Sequence, residues 1–115
     1  MSTYGPRPHY FWIMDANHNL RCVDSMEEWA EYYEADYRQI AMTGNDNIYI
    51  STVFLGVNHN FGFEDEQRPI LFETMVFGGK CDRIQVRYCT YDEAMAGHKV
   101  MVAEVFNYAE GGASA

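Results

Sequence analysis

The chain has 115 residues, the size of one domain with one modest core. Its 48% hydrophobic and 16% aromatic content excludes general disorder. A formal net charge of −9, from 17 acids and eight bases, excludes ordinary nucleic-acid binding, because neutralising phosphates takes clustered Lys and Arg.

The first residues, MSTYGPRPHYFW, show no basic segment leading into an apolar run, so no signal peptide is expected. No uninterrupted apolar stretch is long enough to span a bilayer, and the expected address is cytoplasmic without membrane attachment. HYFWIM (9–14) reads as an aromatic-rich strand, DANHN (15–19) as a turn and LRCV (20–23) as its return, together an opening hairpin. Ser25-Met26-Glu27-Glu28 is a capping box. It predicts a helix with Met26, Trp29, Ala30, Tyr33, Tyr37 and Ile40 on one face, ending near TGNDN (43–47).

IYISTVFLGV (48–57) is rich in β-branched residues and apolar on both faces, as a central strand would be. NHNFGFEDEQR (58–68) is a polar, acidic loop; carrying Phe61 and Phe63 among charges, it is the best binding-loop candidate. ILFETMVF (70–77) predicts a second strand closed by Gly78-Gly79, and IQVRYC (84–89) a third. Thr90-Tyr91-Asp92-Glu93 opens a helix to about Tyr108, before a flexible tail over 109–115. The expected fold is a single α+β domain over 1–108. It has a small antiparallel sheet in ββαβββα order, with two helices packed on one face.

Three segments carry a resemblance. STVFLGVNH, ILFETMVFGG and RYCTYDEAMAGH, in that order, resemble a family of small phage and prophage proteins of unassigned function. The pattern covers roughly the C-terminal half of the chain. It implies phage origin and places His59, Glu73, Thr74, Arg87, Glu93 and His98 at pattern positions, but it brings no activity with it.

The residues themselves frame the candidate site. Alternation along a strand puts Glu73 with Leu71, Met75 and Phe77, opposite Phe72, Thr74 and Val76. His98 falls on the apolar side of the last helix, with Ala94, Met101 and Val105, and so faces the sheet. One reading brings His59, Glu73 and His98 together around a divalent metal that activates water, a hydrolase-like site. No local metal-binding spacing accompanies them. The other reading pairs Glu73 with Arg87 on the neighbouring strand and makes His98 a core residue donating to a backbone carbonyl. Lys80, Arg83 and Arg87 form a weaker candidate anion patch.

Cys22, Cys81 and Cys89, odd in number and without C-x-x-C spacing, read as reduced thiols. The helix acids Asp24, Glu27, Glu28, Glu31, Glu34 and Asp36 read as a solvated face, with imitation of DNA phosphates as the bolder alternative. The expectation from all this is a phage accessory protein that binds a host protein or a small molecule without catalysis and without a cofactor. The surplus of rings points to a homodimer or a partner surface.

Overall fold

The structure is a computed structural model and describes residues 10–33, 38–60 and 68–114, with side chains beyond 107 and that of Tyr33 left aside. Strands β1 (Phe11–Met14) and β2 (Leu20–Val23) form a hairpin, followed by helix α1 (Met26–Tyr33). Strands β3 (Gln39–Gly44), β4 (Tyr49–Phe54), β5 (Phe72–Phe77) and β6 (Gln85–Tyr88) follow, then helix α2 (Tyr91–Ser114). The fold is α+β, with a two-stranded sheet β1-β2 and a four-stranded antiparallel sheet in the order β3-β4-β5-β6.

The order therefore carries one strand more than the sequence predicts. Ile40, expected on the helix face, lies instead in Gln39–Gly44, which pairs with β4 as the sheet's edge, while Tyr37 lies outside the described residues. A register shift between Gln39 and Ala41 breaks the strict alternation that would have marked β3 as a strand. TGNDN is a hairpin turn rather than a helix end. Its Asn45 side chain accepts hydrogen bonds from the N–H groups of Asn47 and Ile48, at 2.8 and 3.1 Å. α2 also runs past Tyr108 to Ser114, through most of the segment expected to be a tail.

The caps act as their residue types require. Ser25 Oγ accepts from Glu27 and Glu28 N–H at 3.1 Å each. Glu28 makes no reciprocal bond and pairs with Arg21 instead. The second box is complete: Thr90 Oγ1 accepts from Glu93 N–H, and Glu93 Oε1 accepts from the N–H groups of Thr90 and Cys89. Arg68 holds the other oxygen of Glu93 at 2.8 Å, and that pairing, ahead of the backbone bonds, lowers the carboxyl below its ordinary pKa.

α2 lies across the four-stranded sheet, while α1 packs against β1 and β2. The alternation of β4 and β5 aims Ile50, Thr52 and Phe54, and Phe72, Thr74 and Val76, at α2. One buried cluster joins Met14 of the hairpin to Phe54, Leu71, Phe72 and Ala94; a second joins Ile50 and Val76 to Met101 and Val105. Each such side chain contributes about 1.5–3 kcal/mol by leaving water. Gly97 lets the helix come close, since a Cβ there would meet the Tyr88 ring at 2.2 Å. Gly78 is equally constrained, with φ of 95° and the Asn47 carbonyl 2.0 Å from where its Cβ would stand. Among the described residues no helix is long and apolar enough to cross a membrane.

Candidate functional site

The sheet has two faces, and the polar residues singled out by sequence divide between them. Val53, Glu73 and Arg87 are opposite one another on β4, β5 and β6, on the face turned away from α2. Arg87 Nε donates to Glu73 Oε2 at 3.0 Å. This is the cross-strand pair expected from sequence, and its half-buried carboxylate is matched by a cation that water still reaches.

His98 is 5% exposed and projects from α2 toward the other face. Its Nδ1 is 2.7 Å from Thr52 Oγ1 and its Nε2 is 2.9 Å from Thr43 Oγ1. Thr52 in turn shares a short hydrogen bond with Thr74, its direct neighbour across the sheet. A neutral imidazole has one N–H and one lone pair, and a hydroxyl can donate or accept, so all of these contacts are satisfied in either tautomer. The expected backbone carbonyl is replaced by threonine hydroxyls from β3 and β4. Burial lowers the pKa of His98 below the ordinary histidine value.

His59 stands elsewhere. β4 ends at Phe54, Gly56 turns the chain with φ of 81°, and the half-buried His59 ring donates from Nδ1 to the Val57 carbonyl at 3.1 Å. The metal site conceived from His59, Glu73 and His98 is therefore not formed. The sheet itself separates Glu73 from His98, and no cluster of three His, Cys, Asp or Glu fit to hold a metal occurs among the described residues.

Thr52 and His98 have the spacing of a nucleophile and its base, with Thr43 where an orienting group would sit. The arrangement cannot meet a substrate, because Thr52 and Thr74 are 0% exposed. It is a polar seam in the helix–sheet contact. Its signal in the sequence is that Thr52 and Thr74 occupy apolar-face positions of β4 and β5, where a hydroxyl must find a partner.

The other candidates resolve in the same way. Arg87 is engaged with Glu73, and Arg83 is 3.8 Å from Asp82. The three cysteines form no disulfide and are half-buried. Phe61 and Phe63 lie outside the described residues, as do Glu34 and Asp36. A cavity of about 10 Å³ beside Trp12, Trp29, Tyr32 and Phe54 has room for one water. A shallow depression of about 500 Å³ opens beside His18, Leu20, Thr90 and Tyr91, where the His18 ring stacks on Tyr91 with centroids 3.9 Å apart. Neither hollow includes His59, Glu73 or His98.

What the face away from α2 does offer is apolar surface. Met42 is 56% exposed and Phe77 36%, with the half-buried Tyr49, Val53 and Met75 between them. Tyr49 and Phe77 stack with centroids 4.8 Å apart. No described helix packs over these residues. Searches of known protein families, of curated proteins and of solved structures return no match.

Proposed function

We propose that this protein is a non-catalytic binding module whose contact surface is the open face of the four-stranded sheet. In this reading it is a phage accessory protein acting in the host cytoplasm on a host protein. The phage setting rests on the resemblance of STVFLGVNH, ILFETMVFGG and RYCTYDEAMAGH. The observation that carries the binding role is the apolar group of exposed Met42 and Phe77 with half-buried Tyr49, Val53 and Met75, bordered by the Glu73–Arg87 pair.

The face measures roughly 300 Å² at most, and the apolar residues share it with Ser51, Glu73, Gln85 and Arg87. Exposed apolar groups rimmed by polar residues mark interaction surfaces. The central residues of this face supply large rings and flexible thioethers, which fit an irregular apolar surface on a partner. The ion pair at its border adds direction, since a partner must either match it or leave it solvated.

The test replaces Phe77 and Met75 by lysine together. Pull-down from host lysate, with the captured protein identified and then titrated by calorimetry, is expected to show at least a tenfold loss of affinity in the variant. Equal affinity for the captured partner in both proteins overturns the reading.

A further inference from the structure

We propose that His98 is an acid-sensitive latch: protonation of its ring, in a cluster that offers hydroxyls but no counter-charge, releases α2 and uncovers the face that carries Thr52 and Thr74. The inference is independent of the open face on the other side of the sheet.

Three observations carry it. His98 is the polar member of a contact otherwise made by Ala94, Met101 and Val105. Both of its nitrogens are committed to hydroxyls that belong to strands, so the ring joins α2 to β3 and β4 directly. The strands present no carboxylate to it; besides the threonines, their positions on this face are apolar, with Tyr88 on β6 the sole titratable group among those described. On α2, Lys99 and Glu104 are exposed to solvent, and Glu93 is held by Arg68.

Protonation leaves the hydrogen bonds possible, because Thr43 and Thr52 can each accept while Thr52 still donates to Thr74. What changes is charge. A cation then sits in a seam with dipoles but no anion, and desolvation opposes it. The sign follows from linkage. The released ring takes up its proton near the ordinary value of about 6.5, whereas burial makes the docked ring take it up only at lower pH. Above pH about 6.5 both states are neutral and docking is at full strength. As pH falls through that value the released state gains the proton first, and docking weakens until the docked ring also titrates.

Hydrogen exchange of the full chain, followed by NMR at pH 7.5 and 5.0 and corrected for intrinsic rates, tests the latch. At pH 5.0 the amides of residues 94–105 are expected to lose more protection, relative to pH 7.5, than those of β4 and β5. In His98→Gln, whose amide can bridge two hydroxyls without titrating, this differential loss should vanish. If the variant does not fold, the ring titration of wild-type His98 decides, with the midpoint expected below the ordinary histidine value of about 6.5. A His98 midpoint at or above that value overturns the proposal. So does simultaneous loss of protection in α2 and the sheet, or a differential loss that persists in His98→Gln.

Discussion

One face of the β3–β6 sheet carries Thr52 and Thr74 beneath α2; the other carries Glu73 and Arg87 against solvent. Thr74 and Glu73 are adjacent in sequence, yet they meet different partners because successive strand residues point to opposite faces. Where water is excluded, the polar groups are neutral and close a chain of hydroxyls on an imidazole. Where water remains, the solution is an ion pair, whose desolvation cost is small because Arg87 stays partly solvated. The contrast teaches that access to water, more than residue polarity, decided which chemistry each face could carry.

Substitutions can break that contrast, and the largest effect is expected under α2. Phe72 is 0% exposed, and Phe72→Ala should cost about 3–5 kcal/mol in chemical denaturation, from lost transfer and the cavity left behind. A smaller but more informative loss is expected for Thr52→Val. It keeps the shape and removes the hydroxyl shared by His98 and Thr74, leaving a buried ring nitrogen without its partner, at a cost of about 1–3 kcal/mol by the same measurement. On the open face, Phe77→Lys should change stability by under about 1 kcal/mol, the worth of its cross-strand ring pair with Tyr49. A cost for Phe77→Lys comparable with that of Phe72→Ala would show that this face is covered in solution.

Much of this was legible from residues alone, and the failures have causes. The strand ILFETMVF and the capping box Thr90–Glu93 announced β5 and α2 because alternation and capping are local signals. β3 was not legible: its pairing with β4 is a tertiary contact, and its bulge erased the period of two. The Glu73–Arg87 pair could be anticipated, since both side chains are charged and on neighbouring strands. The His59–Glu73–His98 site could not be tested without knowing which face α2 covers, and the covering helix lies over Thr74 rather than Glu73. The threonine seam has no distinctive sequence signal, because threonine on an apolar strand is also an ordinary β-former.

The position of α2 after the sheet in chain order has a consequence for synthesis. β3 to β6 pair in chain order, so the sheet can form from its own strands, and α2 is the last element to be added to it. Until α2 docks, both faces of the sheet are open, with Phe72 and Val76 on one side and Phe77 and Met75 on the other. A chaperone or a neighbouring nascent chain meets the protein then in its stickiest form.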